Sequence, residues 1–184
     1  MSRLDDDYVT DLALKAGRGD AVALTEFIAR TQDDVWRLLA HLAGRESADD
    51  LTQETYLRVL KALPRFAARS SARTWLLSLA RRTWADSVRH DLARPQSAAA
   101  GYGDVEYRSV TETAPSSDDA SVWSEMMDAR ALLDSLAPER REALVLTQVL
   151  GYSYEEAAKI AGVRVGTIRS RVARARRDLV AGDE

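Results

Sequence analysis

Residues 151–177 read GYSYEEAAKIAGVRVGTIRSRVARARR, two short helical segments around a glycine, the second of them strongly basic. From Ala157 to Arg177 there are seven cations (Lys159, Arg164, Arg169, Arg171, Arg174, Arg176, Arg177) and no Asp or Glu. Concentrating like charge on one short helix is unfavourable unless a polyanion offsets the repulsion. Ala157, Ala158, Ile160 and Ala161 give the first segment a small, close-packing face, and Gly162 suits the turn because it adopts positive φ at little cost. On the second, Ile168, Val172, Ala175 and Leu179 recur at i, i+4, i+7 and i+11, one buried stripe. The opposite face carries Gly166, Ser170, Ala173, Arg174 and Arg177, flanked by Arg169, Arg171 and Arg176. Small residues beside arginines suit a helix that enters a major groove: the small ones permit approach, and arginine bonds guanine bidentately. The alternative is an ordinary solvated basic helix. Arg164 and Val165 are poor N-caps, which leaves the start of the second helix open.

Working outward, the 184 residues carry a net charge of −3, which looks wrong for a DNA-binding chain until it is divided. Residues 1–60 hold seven basic and twelve acidic side chains, 61–94 eight and two, 95–158 four and twelve, and 159–184 seven and three. Two basic islands alternating with two acidic blocks suit a protein that meets nucleic acid at two places. Asp11–Ala16, Ala21–Leu42, Ser47–Leu63 and Arg73–Leu92 have helical period, with Ser71 or Thr74 as cap of the last. Residues 93–121 are rich in Ser, Ala, Gly and acids without periodicity, and are expected to form a flexible linker. Period resumes with Met126, Ala129, Leu132 and Leu133, and Ala137–Pro138 opens a helix through Leu150. The fold class expected is all-α: two small helical domains, 1–92 and 122–184, the second with the helix-turn-helix.

Several classes are disfavoured. There is no cysteine, so no disulfide scaffold and no thiolate–zinc site. No run of eighteen apolar residues exists, and the opening MSRLDDDYVTD is acidic without the apolar core of a signal peptide, so a cytoplasmic location is expected. The two histidines, His41 and His90, are far apart, and no phosphate loop or nucleophile motif appears. Asp49/Asp50 and Glu155/Glu156 stand where acids favour a helix dipole. No enzyme, no cofactor and no metal is expected.

Three strings, SADDLTQETYLRVLKALPRF (47–66), SSARTWLLSLARRTWADSVRH (70–90) and LAPERREALVLTQVLGYSYEEAAKIAGVRVGTIRSRVARAR (136–176), resemble in order and spacing an extracytoplasmic-function (ECF, group IV) sigma factor of the bacterial sigma-70 family. The resemblance implies a sigma-2 domain at 1–92 and a sigma-4 domain. Core RNA polymerase (β′ clamp helices and β flap) and promoter DNA are the partners it implies. An anti-sigma factor is left open as a further one. It implies that Asp49, Asp50, Leu51, Gln53, Glu54 and Leu57 grip the clamp helices, whereas the residues alone favour a plain core helix with a solvated acidic edge. It assigns the promoter −10 element to Arg65, Arg69, Ser70, Arg73, Arg81, Arg82, Trp84 and Arg89, with the Ala67–Ser71 loop as a pocket for an extruded base. Trp75, among Leu76, Leu77 and Leu79, is expected in the core, while Trp84 is open between core and stacking platform. It places Arg169, Ser170, Ala173 and Arg174 on the −35 element, with Arg171, Arg176 and Arg177 beside them and Arg171 and Arg176 suited to phosphates. Two departures stand out: Arg82 where many members carry asparagine, and Ala173 where some carry a bulkier side chain. The competing reading is a free-standing helix-turn-helix regulator. The acidic linker is a candidate nucleic-acid mimic, or simply a solvated connection.

Overall fold

The computed structural model describes residues 3–93, 132, 133 and 135–181. Every regular element among them is helical: α1 (Arg3–Gly17), α2 (Ala21–Ala43), α3 (Arg45–Ala62), a 3₁₀ turn (Leu63–Arg65), α4 (Ala72–Ala93), α5 (Pro138–Leu144), α6 (Tyr154–Ala161) and α7 (Val165–Ala181). The all-α expectation holds. The 93–121 linker falls outside the described residues except Ala93, which closes α4, and Met126 and Ala129 lie outside them too.

α1 starts eight residues earlier than the period suggested: the added turns bury Val9 and set Asp5 and Asp6 against Arg73, a charge contact that apolar periodicity does not register. In the N-terminal unit α2 is the central helix. Its buried Phe27, Val35, Leu38, Leu39 and Leu42 follow the helical period and meet Val9, Leu12 and Ala13 of α1, Val59 of α3, and Leu76, Leu77 and Ala80 of α4. Asp20 caps α2 by accepting from Val22 N and Ala23 N, each at 3.0 Å. Thr31 ties α2 to α3 through the Tyr56 hydroxyl at 2.8 Å.

In the C-terminal unit α5 does not run to Leu150 as one α-helix. Residues 145–149 widen into a π turn with Leu150 N bonded to Val145 O at 2.9 Å, while Val145, Leu146 and Thr147 remain buried. Ser153 and Glu156 form a capping box at the start of α6, a Ser-x-x-Glu signal legible in the sequence but not used above. Gly162 ends α6 at φ 68°, the left-handed conformation that makes the turn. The open question about α7 is answered by backbone: Arg164 O accepts from Thr167 N at 2.9 Å and Ile168 N at 3.3 Å, with no side-chain cap from either residue.

Candidate nucleic-acid interface

α7 divides as its period requires. Ile168, Val172 and Ala175 are buried against α6 and α5, and Leu179 packs against the same core. Gly166, Arg169, Ser170, Ala173, Arg174, Arg176 and Arg177 are exposed. Arg169, Ser170, Ala173 and Arg174 therefore share one open surface, with Arg177 a turn further on. Ser170 turns its hydroxyl inward to Thr167 O at 3.0 Å, and Arg176 donates to Gln148 Oε1 at 2.7 Å. Arg171 differs from its neighbours: it is half-buried and one guanidinium nitrogen is sealed from solvent.

The second basic island is less uniform. Arg65, Arg69, Arg82 and Arg89 are exposed, and Ser70 is half-buried with its hydroxyl 3.4 Å from Ser71 O. Arg89 pairs with Asp86 on its own helix. Phe66 and Trp75 meet with ring centroids 4.8 Å apart and frame the loop; Trp75, expected in the core, is only half-buried against it, as is Trp84. Ala68 in this loop has φ 50°, a conformation that L-residues other than Asn and Asp rarely adopt.

Arg73 is a correction. It is only 5% exposed, and its guanidinium is enclosed by Asp34, Asp5 (Nη2 to Oδ2, 2.7 Å), Asp6 (Nε to Oδ1, 3.1 Å) and the Arg30 carbonyl (3.2 Å). The Asp6 contact is a charge contact whose angle falls short of a hydrogen bond. Burial would push the Arg73 pKa down, but Asp34 and Asp5 outweigh it and the guanidinium is held above its ordinary value. Enclosed in this way it is a structural cation, and no surface is left for a phosphate. Sequence reading missed this because the acids lie 39 and 68 positions away.

Arg81 is half-buried and donates from Nε to Glu142 Oε1 of α5 at 2.7 Å. Glu142 is 1% exposed, and its carboxyl pKa is raised, by burial first, against the lowering by Arg81 and Arg171. Tyr152 is buried beside the Asp34, Arg73 and Asp6 charges, with its phenol pushed up by burial and its hydroxyl unpartnered among the described residues. The C-terminal unit thus rests on α4 and α2.

On α3, Asp49, Asp50, Gln53, Glu54 and Leu57 are exposed, Leu57 by 49%, and Leu60, not singled out above, by 45%. Leu51 is half-buried and packs on the core. Asp49 accepts from Trp36 Nε1 at 2.8 Å, and Glu54 pairs with Arg58 at 2.9 Å.

Comparison with known proteins bears on this arrangement directly. The family model for sigma-70 region 2 matches residues 27–93, and that for sigma-70 region 4 matches residues 126–179. The ECF RNA polymerase sigma factor SigC of Mycobacterium tuberculosis (strain CDC 1551 / Oshkosh) is 47% identical over 180 residues, 98% of this chain and 94% of that protein. This chain belongs to the ECF sigma factors of the sigma-70 family. SigE of Mycolicibacterium smegmatis, another ECF factor, is 33% identical over 178 residues, 94% of this chain and 67% of that protein. Among solved structures, the sigma factor RpoE in complex with the anti-sigma factor NepR, from Bartonella quintana, aligns with TM-score 0.63 at 25% identity over 85% of this chain and 93% of that one. CnrH in complex with the cytosolic domain of CnrY shares the fold at TM-score 0.68 and 24% identity, covering 95% and 96% of the two chains. The protein is therefore an RNA polymerase sigma factor, which directs core polymerase to promoters through −10 and −35 elements. The free-standing regulator is set aside. No described helix is long and apolar enough to cross a membrane.

Proposed function

We propose a division of the sigma factor's work among three surfaces, carried by one observation: the exposed arginines of α7 stand opposite its buried stripe, with small residues between them. Arg169, Ser170, Ala173 and Arg174 read base edges of the −35 element, while Arg176 and Arg177 hold phosphates. Arg65, Arg69, Ser70, Arg82, Trp84 and Arg89 engage the opened −10 strand, with the 67–71 loop receiving an extruded base. Arg81 joins them only when released from Glu142. Asp49, Asp50, Leu51, Gln53, Glu54 and Leu57, extended by Leu60, form the face that meets the β′ clamp helices, and the C-terminal unit meets the β flap. The protein acts in the cytoplasm, without chemistry of its own and without a cofactor. An anti-sigma partner, of the kind bound by RpoE of Bartonella quintana, would cover the same surfaces.

Neither DNA face needs high affinity alone, because tethering through polymerase supplies effective concentration. The test is run-off transcription with purified core polymerase, this protein and a genomic fragment library, with sequencing of the 5′ ends. Discrete new starts sharing spaced −35 and −10 motifs are expected, and Arg174→Ala removes them. Loss of no starts in Arg174→Ala, or wild-type starts without a shared −35 motif, would reject the assignment to α7.

A further inference from the structure

The N-terminal helix α1 was given no role by the sequence reading, yet it makes the contacts that fix the beginning of α4. The amide of Ala72, the first residue of α4, donates to Thr10 Oγ1 at 3.0 Å across 62 positions of sequence. The Thr10 hydroxyl in turn donates to Asp6 O at 2.7 Å, so its proton and one of its two lone pairs are used. One residue on, Arg73 is held by the Asp5 and Asp6 carboxylates described above. Amides at a helix start have no partner within the helix and must be met from outside. Ser71 meets the Thr74 amide from its own side chain at 3.3 Å, but Ala72 is fully buried and depends on α1.

These contacts matter because of what precedes Ala72. The loop from Phe66 to Ser71 is pinned at one end by Phe66, whose amide bonds Leu63 O at 3.0 Å and whose ring meets Trp75. Its other end is Ala72. Between them Ala68 sits at φ 50°, a conformation that persists only where surrounding contacts over-determine it. With one end released, the loop would relax towards ordinary backbone angles and its opening would change shape.

We propose that Thr10, with Asp5 and Asp6, is a positioning element for the −10-reading loop: α1 sets the loop's shape through Ala72 and Arg73 without touching DNA. This rests on the reading of that loop as the base pocket. It predicts that base selectivity, not polymerase binding, is what α1 tunes.

The experiment uses full-length protein with core polymerase and fluorescent single-stranded oligonucleotides. These carry the non-template −10 strand of the promoter found by run-off, with all four bases at each position. Thr10→Val keeps the side-chain shape and removes the hydroxyl; Thr10→Ser keeps the hydroxyl. Expected for Thr10→Val is about a tenfold flattening of the preference between best and worst base, with unchanged affinity for core polymerase. Thr10→Ser keeps the preference. Asp5→Asn, at a carboxylate that is 35% exposed and so tolerant of change, flattens it in the same direction and serves if Thr10→Val does not fold. Unchanged preference in the folded variants overturns the proposal. So does equal loss in Thr10→Val and Thr10→Ser accompanied by a lower melting temperature, which marks a merely structural role. If the wild type shows a preference that Ser70→Ala and Phe66→Ala leave intact, the underlying pocket reading fails as well. That outcome is distinct, because it leaves the variants at α1 irrelevant to base choice from the start.

Discussion

Replacing Arg73 with methionine separates the structural account of this residue from the sequence expectation that it faces DNA. Methionine has similar length and fills irregular space, so the change removes charge with little loss of volume. What remains is Asp5, Asp6 and Asp34 gathered around an uncharged side chain, with the Arg30 carbonyl deprived of its donor. Breaking a buried ion pair by removing one partner destabilises by about 3–5 kcal/mol. Here the three acids keep 35%, 19% and 20% exposure and would recover some hydration, which argues for the lower end, about 3 kcal/mol. For a unit of this size each kcal/mol moves the midpoint by about 4–8 °C, so a fall of about 12 °C or more is expected in thermal unfolding followed by circular dichroism. Adding Asp34→Asn to Arg73→Met should restore part of the loss, since it removes one of the uncompensated charges. A midpoint within about 2 °C of wild type, well under the shift expected from 1 kcal/mol, together with loss of promoter opening, would refute the structural role. Arg73 would then be a DNA contact after all.

Three further outcomes follow from other positions. Gly17→Ala places a Cβ 2.7 Å from the Leu63 carbonyl oxygen, so backbone must shift; a loss of about 1–3 kcal/mol is expected in urea denaturation, in spite of alanine's better helix propensity. Gly162→Ala meets open space and suffers only its φ of 68°, so it should lose about 1–2 kcal/mol, and Gly162→Asn appreciably less. Glu142 faces Arg81 from α4, Arg171 from α7 and Glu139 from α5, and its raised pKa makes the folded state the better proton acceptor. Stability from this group is therefore fully present below the unfolded value near 4.5 and is lost as pH rises through the folded value. Glu142→Gln should flatten that part of the stability curve, as measured by melting temperature across pH; an unchanged slope would assign it to other groups.

How far the sequence revealed the site depended on whether the relevant contacts were local. α7 was legible because one helix carries both its buried stripe and its exposed cations, so a period of 3.6 separates them without knowledge of any other element. Gly162 was legible for the same reason. The second basic island was legible as a charge imbalance but not residue by residue. Arg73, Arg81 and Arg82 are equivalent cations on paper, yet the first is enclosed by α1 and α2, the second bonds α5, and the third is exposed. Their partners are distant in the chain, and nothing in local pattern encodes them. The start of α1 was missed because Asp5 and Asp6 look like a solvated acidic terminus until Arg73 is placed between them.

The arrangement of these arginines also bears on how the protein engages a promoter. A cation already bonded to a carboxylate gains little from a phosphate unless the first partner is released or rehydrated. Arg73 has three carboxylates and stays inside. Arg81 has one, Glu142, whose burial makes its ionised form costly where it sits. Lifting the C-terminal unit away from α4 would rehydrate Glu142 and free Arg81 together, so part of the loss of that contact is offset by the relief of a buried acid. Two domains that bind separate promoter elements must in any case take up the spacing those elements dictate. Arg81 and Glu142 thus form a contact that such a movement would break at reduced cost, whereas Arg73 would keep its three carboxylates and lose only the cover of Tyr152 from the C-terminal unit.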